Sequence, residues 1–149
     1  MVNYENLSEQ LSAISENVKY DVTILANASA LLYDAMDELN WCGFYLMRDG
    51  KLILGPFQGK IACTEIELGK GVCGTAAVRN ETVRVENVHT FDGHIACDSA
   101  SNSEIVVPVH KDGQLYGVLD IDSPTFSRFS EEDQLGLEQF VIALEQVLV

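Results

Sequence analysis

The sequence predicts an α+β domain: a mainly antiparallel, six-stranded sheet with the N- and C-terminal helices packed on one face. Three observations predict it. Apolar residues recur at helical spacing at both ends of the chain, short β-prone runs fill the middle, and Asp-Gly turns join neighbouring runs. Strands joined by tight hairpins pair antiparallel, and helices that bracket such a sheet form one layer against it.

Each element has its own signal. Leu7, Leu11, Ile14 and Val18 mark a first helix, and Asp21 is placed to cap a second, with Val22, Leu25, Leu32, Ala35 and Leu39 inward. Residues 41–47 are aromatic and β-prone, and the Asp49-Gly50 turn leads into Leu52-Ile53-Leu54 as a hairpin. Residues 61–68 alternate weakly and predict another strand. Residues 69–78 form a Gly-rich turn running into a short helix, and 82–85 a short strand. Residues 86–103 are polar and aperiodic, the signature of a functional or mobile loop. Residues 105–109 and 115–121 are strands joined at Asp112-Gly113. Ser130-Glu131-Glu132-Asp133 resembles a capping box, followed by a helix with Leu135, Leu137, Phe140, Val141, Leu144 and Leu148 inward. With no repeat, linker or low-complexity stretch, residues 1–149 read as one domain.

Composition narrows the partners. Nine basic against 23 acidic residues give a formal charge of −14, a field that repels nucleic-acid backbones and anionic membranes. No apolar run reaches the roughly 18–20 residues of a membrane span, and the first five residues do not read as a secretory signal. A cytoplasmic protein is expected, without nucleic-acid or membrane partners. In that compartment Cys42, Cys63, Cys73 and Cys97 point to metal binding, catalysis or simple burial rather than a structural disulfide framework.

Four groups of residues carry chemistry. Cys97 lies in a polar, Gly-containing loop near His94, a setting that can hold part of a thiol as thiolate; the alternative is an inert buried cysteine. Cys73 begins a short helix, whose free N–H groups favour an anion, and Cys63 precedes a strand. Either can serve Cys97 as a resolving thiol. Glu104, Asp120 and Asp122 form an acidic trio in which the last two share a strand face. They can bind an ammonium group or keep one another protonated as acids, or simply line a solvated sheet edge. Trp41 and Tyr45 share a strand face as core or pocket wall, with Cys42 on the other face as packing.

These residues occur in six runs. They are Trp41-Cys42-Gly43-Phe44-Tyr45, the stretch from Leu54-Gly55-Pro56 through Lys60-Ile61-Ala62-Cys63, and Gly69-Lys70-Gly71-Val72-Cys73-Gly74. Gly93-His94-Ile95-Ala96-Cys97-Asp98, Ser103-Glu104-Ile105 with the four residues after it, and Gly117-Val118-Leu119-Asp120-Ile121-Asp122-Ser123-Pro124 follow. In this order they resemble the free methionine-R-sulfoxide reductase family, single GAF domains, from about residue 20 to the end. Asp92 departs from the Pro common there in the family. The resemblance implies Cys97 as attacking thiol, Cys63 as resolving thiol and Cys73 as an auxiliary one. It implies Glu104, Asp120 and Asp122 as substrate-binding and acid carboxylates, and Trp41 and Tyr45 as the pocket wall.

The implied reaction reduces free methionine (R)-S-oxide through a Cys97 sulfenic acid and an intramolecular disulfide. Thioredoxin is the implied reductant, no cofactor or metal is expected, and a role in oxidative stress follows. Glu104 is the first choice of acid and Asp122 the second. Asp120 and Asp122 suit the substrate ammonium, and N–H groups in residues 69–74 its carboxylate. The N-terminal helices offer a homodimer surface. Three rival readings stand beside this one. They are a small-molecule-sensing GAF module without catalysis, a zinc site from His89, His94 and Cys97 with Cys63 or Cys73, and a thiol peroxidase.

Overall fold

The computed structural model describes residues 1–95, 97 and 99–149. Helices α1 (Tyr4–Ile14) and α2 (Asp21–Ala35) lead into strands β1 (Trp41–Arg48), β2 (Lys51–Gly59) and β3 (Glu65–Ile66). Helix α3 (Gly71–Arg79), strands β4 (Val83–Val85), β5 (Ser103–Lys111) and β6 (Gln114–Ser123), and helix α4 (Glu131–Val147) follow. The strands form one six-stranded sheet in the order β3-β2-β1-β6-β5-β4. Every neighbouring pair is antiparallel.

The sheet divides two apolar layers, as period-two alternation requires. On one face Cys42, Phe44, Ile105, Val107, Leu119 and Ile121 pack against α1, α2 and α4. On the other, Trp41, Tyr45, Val106 and Val118 meet Val72, Cys73, Ala76 and Ala77 of α3. The terminal helices thus share one face as predicted, and α3 stands alone on the opposite one.

The local signals produce the turns and caps. Asp49-Gly50 and Asp112-Gly113 all adopt positive φ, between 53° and 77°, the geometry of a tight hairpin turn. Ser130 and Asp133 form a reciprocal capping box at the start of α4.

Several expectations are corrected. Asp21 does not cap α2; Tyr20 occupies that position, and the Asp21 carboxylate instead accepts from the Tyr116 hydroxyl at 2.9 Å and the Val149 N–H at 2.7 Å. Strand β3 is only Glu65–Ile66, which pairs with β2 at two positions, Ile53 and Leu52. Ile61, read as strand, is 91% exposed. Val22, Ala35 and Leu135, expected inward, face solvent. Among the described residues no helix is long and apolar enough to cross a membrane.

Candidate active site

The site is built on the α3 face of the three central strands. Pairing sets Trp41 opposite Asp122, and Asp122 opposite Glu104, so these three lie in one row across β1, β6 and β5. The next row carries Gly43, Asp120 and Val106. Directly opposed residues in such a sheet lie about 5 Å apart at Cβ, so the pairing collects the acidic trio that the sequence only lists. All three carboxylates are buried, between 5% and 9% exposed.

Two aromatic side chains support the roof. The Trp41 indole N–H donates to Lys60 O at 3.1 Å, and the Tyr45 hydroxyl donates to Cys63 O at 2.9 Å. Together they hold the 60–63 segment above the sheet. Trp41 stacks on Tyr45 and on Phe57, with ring centroids 5.8 Å and 5.1 Å away. Phe57, which backs Trp41 without lining the cavity, is not singled out in the sequence; its one signal there is its place in the 54–63 run.

The second roof segment is residues 92–95 with Cys97. The Gly71 N–H donates to Gly93 O at 3.1 Å, and Gly71 takes φ +60°, a conformation that suits glycine. A Cβ there would sit 3.3 Å from Ile95, so the missing side chain is what lets this segment lie on the start of α3. A disulfide between Cys63 and Cys97 joins the two roof segments, with Cα atoms 5.4 Å apart. Cys42 and Cys73 are free and buried. Ala96 and Asp98 of the loop run lie outside the described residues.

Between floor and roof is a cavity of about 30 Å³. Trp41, Tyr45, Cys73, His94, Cys97, Glu104, Asp120 and Asp122 all line it. Of the candidate site residues, only Cys63 is not in its lining; it reaches the site through the disulfide. A space of this size holds about two waters. Gly71 and Gly74 spend their N–H groups on Gly93 O and Lys70 O. Val72 and Cys73, both lining the cavity, remain as first-turn donors of α3 with no protein acceptor among the described residues.

The enclosure governs protonation. Burial, reinforced by the charges of Asp120 and Asp122, holds the Glu104 carboxyl well above the usual carboxylate range. Burial also raises Asp120, against opposing hydrogen bonds from Glu104, Cys73 and Asp122. Burial, followed by the charges of Asp120, Glu104 and Asp122, keeps the Cys73 thiol well above its ordinary value, despite its place at a helix start. Desolvation therefore overrides the helix effect expected from the sequence. Burial and the neighbouring His89 lower His94 against the opposing charge of Asp120, a net shift that favours the neutral ring. These directions favour the protonated forms of Glu104 and Cys73 and the neutral ring of His94.

The His89–His94–Cys97 zinc arrangement does not form. The two rings meet edge-on with centroids 6.5 Å apart, and the Cys97 sulfur is in the disulfide.

The chain is similar to known proteins over nearly its whole length. The family model described as "GAF domain" matches residues 7–148. A protein of Escherichia coli (strain K12) named free methionine-R-sulfoxide reductase is 55% identical over 145 residues, which is 97% of this chain and 88% of that protein. The structure of the reduced form of fRMsr of Staphylococcus aureus superposes with a TM-score of 0.96 at 50% identity, covering 100% of this chain and 97% of that one. The structure of free methionine-R-sulfoxide reductase from Neisseria meningitidis in complex with its substrate gives a TM-score of 0.92 at 42% identity, covering 97% of this chain and 87% of that one. With sequence and backbone agreeing over nearly the whole length, the chain belongs to the free methionine-R-sulfoxide reductase family of GAF domains.

Proposed function

We propose that this chain reduces free L-methionine (R)-S-oxide to L-methionine, with residues 1–149 acting as one GAF unit. The carrying observation is the Cys63–Cys97 disulfide roofing a cavity floored by Glu104, Asp120 and Asp122. That disulfide is the product expected of the oxidative half-reaction.

In the reduced protein, His94 accepts the Cys97 proton and the thiolate attacks the sulfoxide sulfur. Glu104 donates a proton to the sulfoxide oxygen, with Asp122 as the second candidate. The oxygen passes from the substrate sulfur to the Cys97 sulfur as the substrate S–O bond and the transient S–S bond break, so methionine leaves and Cys97 becomes a sulfenic acid. The Cys63 thiol attacks that sulfur, water leaves, and the disulfide forms. Thioredoxin, as the reductant, returns both thiols by exchange, a reading that goes with a cytoplasmic protein. No cofactor takes part. Cys73 is an auxiliary thiol, held protonated and out of the exchange. A homodimer across the N-terminal helices remains part of the same reading.

Selection of the free amino acid follows from the floor and the start of α3. Asp120 and Asp122 take the ammonium, the N–H groups of Val72 and Cys73 take the carboxylate, and Trp41 and Tyr45 flank the S-methyl end. A peptide-linked residue lacks both charges and leaves these buried groups unpaired. The test is turnover of the separate S and R epimers with the thioredoxin system, beside a methionine sulfoxide peptide and hydrogen peroxide. Turnover of the free R epimer alone, lost in Cys97→Ser, is expected. No turnover by fully reduced protein, even with dithiothreitol, would leave a ligand-sensing module, and faster turnover of peroxide would make it a thiol peroxidase.

A further inference from the structure

The substrate reading leaves the Cys73 sulfur unused. Cys73, Glu104 and Asp120 each present a ligand atom, and these atoms lie within 4.8 Å of one another in the cavity. They come from three elements: Cys73 from the first turn of α3, Glu104 from β5 and Asp120 from β6. The sheet pairing and the packing of α3 therefore fix the group.

Two further features point to a cation. Asp120 Oδ1 is buried and has no hydrogen-bond partner among the described residues, although the side chain lines the cavity. Neither Glu104 nor Asp120 forms an ion pair with a Lys or Arg among those residues. A buried carboxylate oxygen without a donor is costly, and the overall charge of −14 draws cations toward the molecule.

We propose that Cys73, Glu104 and Asp120 form a binding site for a thiophilic divalent cation of the zinc type. One sulfur and two oxygen donors suit zinc, at roughly 2.3 Å to sulfur and 2.0–2.2 Å to oxygen. Those lengths bring tetrahedral ligand atoms to roughly 3.5 Å apart, so the group closes with side-chain shifts of about 1 Å. Water completes the coordination in the cavity. The Cys73 S–H bond breaks as the S–metal bond forms, its proton passes to solvent, and no sulfur changes oxidation state. The ion is not a cofactor. It occupies the place that the proposed function gives to the substrate ammonium, and, resting on that reading, it inhibits competitively.

Cobalt(II) is the probe, because its bond to a thiolate gives a near-ultraviolet charge-transfer band. Two forms of the full-length protein are titrated. One is the disulfide form, in which Cys63 and Cys97 carry no thiol; the other is Cys63→Ser/Cys97→Ser, in which no disulfide bars access. A saturable band is expected in at least the second form, bleached by zinc. Cys42→Ser in that background leaves Cys73 as the sole thiol and retains the band, Cys73→Ser abolishes it, and Asp120→Asn weakens binding at least about tenfold. No band in either form, a band that survives Cys73→Ser, or one lost with Cys42→Ser overturns the proposal. These readouts need no turnover, so they stand or fall apart from the reductase assay.

Discussion

Gly43 tests how closely the aromatic wall depends on one missing methyl group. It lies on β1 between Trp41 and Tyr45 in the sheet face that carries the site, opposite Phe57. A Cβ there would sit 2.2 Å from Phe57 Cβ, 2.7 Å from its Cα and 2.9 Å from Pro56 O. Ordinary carbon contacts need about 3.5–4.0 Å, so Phe57 must retreat by roughly 1.5 Å. Two of the three obstacles are backbone, so β2 must move with it. Overpacking of this kind costs about 1–3 kcal/mol. Loosening the Phe57–Trp41 stack adds about 0.5–1.5 kcal/mol. Gly43→Ala is therefore expected to cost about 2–4 kcal/mol. With a urea slope of about 2 kcal/mol/M, the midpoint falls by roughly 1–2 M. Trp41 is the sole tryptophan, so its fluorescence reports the wall directly and is expected to shift. An angstrom of misplacement also lowers kcat/KM, by about 10–100-fold. Gly50→Ala is the control: its added Cβ meets nothing within 4 Å, and only the φ of +77° opposes it. That strain costs about 1–2 kcal/mol but leaves Trp41 emission and kcat/KM unchanged. Native emission in Gly43→Ala, with a midpoint shift below about 0.5 M, would refute the steric reasoning.

Two carboxyls are expected to pull stability in opposite directions with pH. Glu104 is held above the usual range by burial and then by its acidic neighbours, so its contribution is intact below the unfolded pKa of about 4 and is lost as pH rises through the folded value. Glu104→Gln should remove that alkaline decline, stabilising the protein at about pH 8 relative to wild type while lowering turnover; urea midpoints across pH check it, and a parallel decline in the variant counts against it. For Asp133, burial acts upward, but hydrogen bonds from Ser130 and Tyr4 and the Arg128 charge bring the net shift below the ordinary range. Its contribution is present above the unfolded pKa and lost as pH falls through the folded value. Asp133→Ala breaks the 2.6 Å bond from Tyr4, the capping box and the 3.2 Å contact to Arg128. The expected cost is about 2 kcal/mol at neutral pH, shrinking toward about pH 3.

What was legible in the sequence was local, and what was not depended on the pairing of distant residues. Asp-Gly turns and the Ser130 box act within four residues and could be read directly. Which side of a helix is buried depends on partners, and this is why Val22, Ala35 and Leu135, inward by spacing, face solvent. The site itself depends on register. Counted straight from the Lys111–Gln114 closing pair, Glu104 would oppose Ile121, on the face beneath the terminal helices. A one-residue shift between Val109 and His110, taken up at Tyr116 on β6, sets Glu104 opposite Asp122 instead. The first hairpin does the same. Counted from Arg48–Lys51, Phe57 would oppose Cys42 in the helix-side core, but a shift between Gly43 and Tyr45 sets it opposite Gly43, on the face of Trp41. A slip of one residue turns every later side chain to the other face. The two bulges therefore decide that Glu104 reaches the cavity and that Phe57 stacks behind Trp41. The first coincides with Gly55-Pro56 on β2, residue types that mark a bulge without saying how far the register shifts; the second, at Tyr116, has no such signal, because a bulge is a property of a pair of strands. The Tyr116 hydroxyl, bonded to Asp21 at the start of α2, ties the second bulge to the helix layer. The register that sets Glu104 opposite Asp122 is thereby anchored on the opposite face of the sheet, by contacts that never touch the cavity.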